Sequence, residues 1–306
     1  MMKKIHFIVN PISGTGKQKI VKDLLAPFFE EKEYTLVIKQ TAYAGHATAL
    51  TQASIEEQAD IIVACGGDGT INEVASCLVN KTIPLGIIPM GSGNGLASNL
   101  AISKNIKKAL SIIKDGRITK IDVGQINKQF FFSNAGFGFD AEVVSNYEQM
   151  KKRQFIAYLS AVVKSFNHYQ GYKKVKIKIG DKQIEICPFM VFISNSNEMG
   201  YNISLTPTAQ LDDGLLDVVI IPKITKMQII LLGFLLLFGR TGNIKWIQNI
   251  KTDSLILHGK HRHHLSIQKD GERCKVKNGI LDISLLKKSL NVIIAPTNRT
   301  FIPYQG

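Results

Sequence analysis

Hydrophobic and polar positions alternate in two different ways along the chain, and the change falls near residue 124. Before it, apolar runs at 4–9, 34–39, 61–65 and 84–88 are each followed by a loop and then by apolar residues at helical spacing. Strands that alternate with helices predict a parallel, doubly wound sheet. Ligands bind such sheets at the carboxyl ends of the strands, where the glycine-rich loops of this chain fall.

The second part of the chain predicts a mainly antiparallel β domain. Its strands are expected at 130–135, 173–179, 184–195, 216–221, 254–257, 264–268 and 280–286, with a helix over 151–168. We therefore expect an α/β protein with an N-terminal domain at 1–124 and a β-rich domain at 125–289. The tail 290–306 is expected to return to the first domain.

Charge is distributed unevenly between the two parts. Residues 1–124 hold 14 Lys and Arg against 11 Asp and Glu, a net charge of +3, whereas residues 125–306 hold 24 against 13, a net charge of +11. A basic second half predicts an anionic partner, either a membrane surface or nucleic acid. The alternative is that the excess of basic charge only keeps the protein in solution.

The longest apolar run, 227–238, is too short to span a bilayer. It predicts a core helix, with a groove for a lipid tail as the alternative. The four cysteines show no paired spacing, which indicates reduced thiols. The N-terminal apolar run is too short for a signal peptide. We therefore expect a cytoplasmic protein that can contact the inner membrane surface peripherally.

The most informative local feature is the run Gly66–Thr70, in which three glycines surround Asp68. Glycines allow close approach of the backbone to a ligand, and a following helix start favours a phosphate. An aspartate in such a loop repels a bare phosphate unless a divalent cation lies between them. The run therefore predicts a site for nucleotide phosphates and a metal ion.

Neither common nucleotide fingerprint explains this site. The loop Asn10–Lys17 lacks the first glycine of a P-loop, where Pro11 stands, and has Gln18 after the lysine. The glycines of Gly91–Gly95 have the wrong period for a dinucleotide site.

Several motifs together resemble the diacylglycerol kinase catalytic domain, which bacterial soluble lipid kinases, sphingosine kinases and ceramide kinases share. They occur in the family's order: Asn10-Pro-x-Ser-Gly14, Gly66-Gly-Asp-Gly-Thr70-x-Asn72-Glu73, Pro89-x-Gly-Ser-Gly-Asn94, Ile121-Asp122-Val-Gly124, Asn134-Ala-Gly-Phe-Gly138, Leu211-Asp-Asp-Gly-Leu215 and Asp270-Gly-Glu272. The resemblance implies an ATP- and Mg²⁺-dependent lipid kinase, with ATP bound by the first domain and the lipid by the second.

The family's roles are carried to this chain only at matching positions. The resemblance implies ATP contacts from Asn10, Pro11, Ser13, Gly14, Thr41, Gly66, Gly67, Asp68, Gly69, Thr70, Asn72, Glu73, Gly91, Ser92, Gly93 and Asn94. Asp68 would face the catalytic magnesium, with Asp122 joining its network. A second, structural magnesium would take the carboxylate of Asp213 and the carbonyls of Gln210 and Leu215. In the turn Asp270–Glu272, Glu272 is favoured as the proton acceptor, with Asp270 orienting it or sharing the role.

One departure from the family concerns the acceptor lipid. Diacylglycerol kinases usually carry Asp after Gly-x-x-Asn, where this chain has Gly95, and sphingosine and ceramide kinases also have a small residue there. Diacylglycerol, a sphingoid base and a ceramide-like lipid therefore all remain candidates, with the last two favoured.

Two other functions are compatible with parts of the sequence. An NAD kinase shares Gly-Gly-Asp-Gly-Thr, but the Asn72-Glu73 pair and the Gly-Ser-Gly-Asn loop favour a lipid kinase. A degenerate, non-catalytic lipid-binding fold would not need its acidic residues. The expected partners are a membrane lipid and an anionic membrane, without nucleic acid, and a homodimer stays open. Four histidines between His258 and His264 predict a basic hairpin tip, with a zinc site as the alternative.

Overall fold

The chain divides into two compact units. The computed structural model describes residues 2–14, 20–91, 93–150, 155–168, 174–197, 204–237, 244–259, 265–276 and 279–296. One unit, the N-terminal unit, is Met1–Asp122 together with the chain from Lys287 to the end of the last strand, and the C-terminal unit is Val123–Leu286.

The N-terminal unit is built on a parallel sheet. Its elements are β1 (Lys3–Val9), α1 (Lys22–Leu25), β2 (Tyr34–Gln40), α2 (His46–Glu56), β3 (Ile61–Gly66), α3 (Asp68–Leu78), β4 (Leu85–Pro89), α4 (Gly95–Asn99), α5 (Ile106–Asp115) and the first part of β5 (Arg117–Ile126). The strand order is β2-β1-β3-β4, with parallel pairing throughout. The end of the last strand adds beside β4, where Val292 pairs with Leu85.

The apolar runs predicted from the sequence form the buried centre of this sheet. Residues 62–66 of β3 and all of β4 are buried, as expected for strands covered on both faces. Helix α3 packs on the sheet through Ile71, Val74 and Leu78. This arrangement fixes the carboxyl ends of β1, β3 and β4 next to one another, so the loops that follow them meet at one edge.

The C-terminal unit contains two antiparallel sheets. Its elements are β6 (Gln129–Phe131), β7 (Asn134–Gly138), α6 (Phe139–Glu148), α7 (Phe155–His168), β8 (Val175–Ile179), β9 (Lys182–Ile186), β10 (Pro188–Ser194), β11 (Leu216–Pro222), α8 (Lys226–Leu237), β12 (Gln248–Thr252), β13 (Ser254–Gly259), β14 (Leu265–Lys269), β15 (Glu272–Val276) and β16 (Ile280–Ile294), the last of which continues into the N-terminal unit. One sheet has the order β12-β11-β10-β7-β14-β15, and the other runs from β16 through β13 and β8 to β9.

Two hydrophobic clusters hold the C-terminal unit together. The first lies between its two sheets and includes Phe137, Val191, Ile177 and Leu257. The second lies on the other face of the first sheet, under helices α6, α7 and α8. The α/β class, with a parallel sheet followed by antiparallel sheets, confirms the fold predicted from the hydrophobic pattern.

Three predicted elements differ from the observed ones. The strand expected at 184–195 is divided at Cys187 into β9 and β10, which belong to different sheets. The strand expected at 280–286 continues through the polar residues 287–289 to Ile294. Lys288 has φ +49°, so the strand is irregular at this position. The strand expected at 130–135 is divided at Phe132 and Ser133 into β6 and β7. Among the described residues, no helix has the length and apolar character needed to cross a membrane.

Candidate functional site

Three loops at one edge of the parallel sheet pack backbone against backbone. A Cβ at Gly91 would lie 2.6 Å from the Cα of Gly67, which places the loop after β4 directly on the loop after β3. Gly14, at φ +65°, lies so close to the Met90 carbonyl that a Cβ there would overlap it. These positions require glycine because no side chain fits between the loops.

The carboxylate of Asp68 holds the loop after β4 in place. It accepts the N–H of Asn94 at 2.8 Å and the N–H of Gly95 at 2.6 Å, and a Cβ at Gly93 would lie 2.7 Å from its Oδ2. Asn94 adopts a left-handed conformation (φ +64°) and exchanges two hydrogen bonds with the backbone of Gly91. Two backbone N–H groups of the neighbouring loop therefore fix the orientation of the Asp68 carboxylate.

The loop after β1 is fixed to the same edge by Asn10. Its backbone N–H donates to the Cys65 carbonyl at 2.9 Å, and its Nδ2 donates to Thr70 Oγ1 at 3.2 Å. Its Oδ1 accepts the N–H of Ile12, which closes the turn. Thr41, the residue after β2, donates its N–H to the Val9 carbonyl at 2.8 Å. The ends of β1, β2 and β3 are thus joined where the sequence placed nucleotide contacts.

Glu73 has a partner that the sequence did not indicate. Its carboxylate accepts the N–H of Gly45 at 2.9 Å and of Ala47 at 3.0 Å, at the N-terminus of α2. Helix α2 follows Gly45, which has no side chain to cap it, so an acid from α3 satisfies these donors. The structure gives Glu73 a role in holding α2 against α3.

The geometry of this edge fits a nucleotide phosphate with a magnesium ion. Helix α3 begins at Asp68, so its N-terminal N–H groups and macrodipole favour an anion at the glycine loop. No group of three or more metal-binding side chains occurs in the part of the chain that the structure describes. Magnesium fits such a place, because it commonly takes one or two carboxylates together with water and phosphate oxygens.

Asp122 lies in the same unit, on β5, and its residue is fully buried. Its Oδ1 accepts the N–H of Lys288 at 2.6 Å, which connects β5 to the last strand. The predicted role of Asp122 in the magnesium network stays a prediction. Ser92, which the resemblance placed on a phosphate, lies outside the described residues, as do most of the histidines from His258 to His264.

In the loop predicted to hold a structural magnesium, Asp213 already pairs with a lysine of β12. Asp213 Oδ1 accepts the N–H of Leu215 at 3.0 Å, and its Oδ2 lies 3.0 Å from the ammonium of Lys251. The same ammonium lies 3.5 Å from Asp217. A magnesium ion on Asp213 would have to compete with this lysine. The metal site at Gln210, Asp213 and Leu215 therefore stays a prediction.

The carboxylates of Asp270 and Glu272 do not face the same way, although an extended segment had been expected. Asp270 and Gly271 have φ +49° and +79°, and they form a two-residue hairpin turn between β14 and β15. The Asp270 carboxylate accepts the N–H groups of Phe132, Ser133 and Asn134 at 2.8–3.1 Å. Glu272 begins β15 and is exposed. The turn therefore separates a carboxylate held by backbone N–H groups from an exposed one.

Burial raises the pKa of the Asp270 carboxyl to about 6, against the opposing effect of the three N–H groups that donate to it. A carboxyl with this pKa exchanges a proton near neutral pH. The roles of Asp270 and Glu272 as proton acceptors stay a prediction, with the carboxyl of Asp270 buried in the turn and Glu272 exposed.

A buried polar network behind this turn was missed by sequence reasoning. The side-chain amide of Gln268 donates to Asn134 Oδ1 at 2.8 Å and to Asp140 Oδ2 at 2.7 Å. Its Oε1 accepts the N–H of Gly271 at 2.9 Å. Burial raises the pKa of the Asp140 carboxyl to about 6, with the Gln268 hydrogen bond acting in the opposite direction. Gln268 therefore ties the turn to the strand and helix behind it.

Comparison with known proteins agrees with this architecture. Residues 4–126 match the diacylglycerol kinase catalytic domain, and residues 133–293 match the YegS C-terminal NAD kinase beta sandwich-like domain. The two matches together cover both units, and the second alone covers more than half of the chain.

Curated relatives and solved structures extend over most of the chain. A diacylglycerol kinase of Bacillus subtilis (strain 168) is 31% identical over 281 residues, which cover 89% of this chain and 90% of the relative. One of Staphylococcus aureus (strain MRSA252) is 32% identical over 235 residues, covering 73% and 72%. A crystal structure of a Bacillus anthracis str. Sterne protein proposed to be a diacylglycerol kinase superposes with a TM-score of 0.80 at 25% identity, covering 96% of each chain. The chain therefore belongs to the diacylglycerol kinase family of lipid kinases, as its motifs predicted.

Proposed function

We propose that this protein transfers the γ-phosphoryl group of ATP to a hydroxyl group of a membrane lipid, with Mg²⁺ as its cofactor. The observation that supports this most directly is the position of Asp68. It is the first residue of a helix and belongs to one of two glycine-rich loops that approach each other closely, and two backbone N–H groups of the other loop orient its carboxylate.

Phosphoryl transfer depends mainly on positioning and on charge neutralisation. The N–H groups at the start of α3 and the loops at Gly14 and Gly91 are the proposed phosphate contacts. Asp68, with Asp122, would hold Mg²⁺, which supplies neutralisation of the phosphate charge when bound. The close packing of these loops fixes their backbone before a nucleotide arrives, so little reorganisation is needed on binding.

Proton removal from the lipid hydroxyl is assigned to the turn at 270–272. We favour Glu272 as the acceptor, because its carboxylate is exposed, and give Asp270 a positioning role. Asp270 fixes the turn through Phe132, Ser133 and Asn134. The carboxylate of Glu272 would then receive the hydroxyl proton as the P–O bond to the lipid forms and the bond between the γ-phosphorus and ADP breaks.

Two observations bear on the acceptor lipid, and they favour different molecules. The names of the relatives favour diacylglycerol. The departure at Gly95 favours a broader acceptor range, with a sphingoid base or a ceramide-like lipid as the alternative. The measurement that decides is kcat/KM for the three lipids in the same micelles. A preference for diacylglycerol above about tenfold, or ~1.4 kcal/mol, would contradict the argument from Gly95.

The proposed partner surface is an anionic membrane at the cytoplasmic face, contacted peripherally. The net charge of +11 in residues 125–306 supports it, because each basic residue near an anionic surface contributes roughly 1 kcal/mol.

The experiment that tests the function uses labelled ATP, Mg²⁺ and a total lipid extract, followed by thin-layer separation of the products. We expect label in a lipid band, and loss of that band when the metal is chelated. NAD is the parallel acceptor, because the second matched domain is described as similar to that of NAD kinases. If the label appears in NADP and not in lipid, the protein is an NAD kinase-like enzyme and the lipid kinase proposal is wrong. Label in neither would favour the non-catalytic binding fold.

A further inference from the structure

Helix α8 exposes an apolar stripe on the side that faces away from the core. Met227, Ile230, Leu231 and Phe234 follow the i, i+3, i+4, i+7 spacing of one helix face, and they are exposed by 76%, 58%, 49% and 59%. Large hydrophobic side chains at this spacing and exposure are uncommon on a protein surface unless they bind something. The stripe therefore needs an explanation other than the stability of the fold.

The opposite face of the same helix accounts for its attachment to the protein. Leu232 is buried in the second hydrophobic cluster, and Ile229 and Leu236 pack against it. Helix α8 is therefore apolar around its circumference but uses only one side for the core. The sequence-based expectation of a core helix at 227–238 describes this inner side alone.

Helix α7 covers the same cluster and also carries apolar residues outward. Tyr158, Val162 and Phe166 pack against the cluster, whereas Leu159 and Val163 are exposed. The ammonium of Lys226, the first residue of α8, lies 5.8 Å from the ring centroid of Phe166. The start of α8 is thus held beside α7.

The charge around these helices selects an anionic partner. The sequence contains no Asp or Glu from Val218 to Thr252, a stretch of 35 residues that includes α8 and carries five basic residues. Helix α7 contains no acidic residue either. An anionic bilayer repels acids and attracts lysines, and it also accepts exposed apolar side chains without needing a complementary shape.

We propose that the outward face of α8, with Leu159 and Val163 of α7, docks the protein on an anionic lipid bilayer by shallow insertion of its apolar side chains. The strength of such binding scales with the apolar area that enters the headgroup boundary, and electrostatic attraction to anionic lipids adds to it. Lysine stems can extend so that the ammonium reaches the headgroups. The inference rests on the proposed lipid kinase function, to which it adds the surface through which the enzyme reaches its substrate.

The test is vesicle binding of the full chain, measured by sedimentation with phosphatidylcholine vesicles that contain or lack phosphatidylglycerol. The variant Ile230→Gln/Phe234→Gln is expected to lower the partition coefficient on anionic vesicles at least about tenfold. Salt should weaken wild-type binding only in part, because the inserted apolar area is not screened.

A matched control is available on the other unit. Ile118 is exposed by 59%, as Phe234 is, but lies on β5 of the N-terminal unit. Ile118→Gln should leave vesicle binding unchanged. Thermal unfolding of all variants should match the wild type, since the substituted side chains are exposed.

The outcomes separate this inference from the kinase proposal. Phosphorylation of a short-chain lipid dispersed as monomers should be equal in wild type and the α8 variant, and activity on vesicles should fall with binding. Unchanged vesicle binding by the α8 variant overturns the docking surface even if the protein is a kinase. A lower molecular mass of the variant than of the wild type, measured by sedimentation without vesicles, overturns it as well. In that case the outward face of α8 joins two copies of the protein. Absence of lipid phosphorylation removes the proposed function, while vesicle binding still measures the docking surface.

Discussion

Two carboxylates, one in each unit, organise backbone loops in different surroundings. Asp68 accepts two N–H groups from the loop after β4 and lies at the start of a helix, beside an edge lined with glycine. Asp270 accepts three N–H groups, and burial raises the pKa of its carboxyl to about 6. The difference suggests a division of tasks, in which the first unit supplies a fixed charge for a metal and phosphate and the second supplies groups that exchange protons.

The strongest test of this comparison separates Asp270 from Glu272. Asp270→Ala leaves three backbone N–H groups without their acceptor, and we expect the free energy of unfolding to fall by at least about 3 kcal/mol. Glu272→Ala changes an exposed side chain and should alter it by less than about 0.5 kcal/mol. Urea unfolding of both variants measures this contrast.

Activity gives the second half of the same test. Glu272→Ala should lower kcat at least about 100-fold if Glu272 accepts the proton. Near-normal turnover of a folded Glu272→Ala protein would transfer the role of the base to Asp270. If both folded variants phosphorylate lipid at the wild-type rate, the base lies elsewhere.

A second test concerns the buried network behind the turn. The pKa of Asp140 is raised to about 6 when folded, against about 3.9 in the unfolded chain, so the folded state binds more protons between these values. The carboxyl therefore contributes stability below pH ~4 that is lost as the pH rises through about 6, at most about 3 kcal/mol.

Asp140→Asn cannot titrate and can still accept the Gln268 hydrogen bond. We expect the variant to unfold with the same free energy as the wild type near pH ~4 and to be more stable above pH ~7. The measurement is urea unfolding of both proteins over this range. A variant that is less stable than the wild type at every pH would show that the charged form of Asp140 is stabilised in the fold.

The third test examines the fixed charge of the N-terminal unit. Asp68→Asn should lower kcat at least about 100-fold, or about 2.7 kcal/mol of transition-state stabilisation. The variant also loses an acceptor for Asn94 or Gly95, so its unfolding must be measured beside its activity. A higher Mg²⁺ concentration should restore part of the lost rate if Asp68 holds the metal. Turnover close to that of the wild type would contradict the assignment.

The smallest expected effect concerns the backbone contacts between the loops. Gly14→Ala places a Cβ against the Met90 carbonyl at φ +65°, and we expect the KM for ATP to rise about tenfold, or ~1.4 kcal/mol. Gly180 is the matched control, because it has φ +54° with open space around its Cβ position. Gly180→Ala has the same backbone strain without the contact and should leave the KM unchanged. Equal effects of the two substitutions would contradict a nucleotide contact at Gly14.

The glycine edge could be predicted from the sequence because its parts are local. The strand, the glycine run and the helix after it are consecutive, so hydrophobic spacing and glycine placement were enough to locate Asp68. The motif order also predicted the family. The hydrogen bonds of Asp68 to Asn94 and Gly95 could not be predicted, since they depend on the closeness of two loops after adjacent strands.

The network of the second unit could not be predicted for a related reason. Gln268 meets Asn134 and Asp140 across more than 120 residues of sequence, and polar side chains carry no periodic signal of burial. The turn at Asp270 was predictable from the sequence, because Asp-Gly between two strands is a hairpin signal. This turn points the carboxylates of Asp270 and Glu272 in different directions. The contact of Glu73 could not be predicted either. Its carboxylate, on α3, accepts the backbone N–H groups at the uncapped start of α2.

The long last strand imposes an order on the synthesis of this protein. Its final residues complete the parallel sheet beside β4, and Asn291 donates to the carbonyls of Lys81 and Thr82 before that strand. The Asp122 carboxylate likewise accepts a hydrogen bond from the N–H of Lys288, which is synthesised much later. While the ribosome is still translating the C-terminal unit, the N-terminal sheet has an open edge and Asp122 lacks this partner. A nascent chain can therefore form the glycine loop early, but it completes the surroundings of its buried acid only after the last strand has been made.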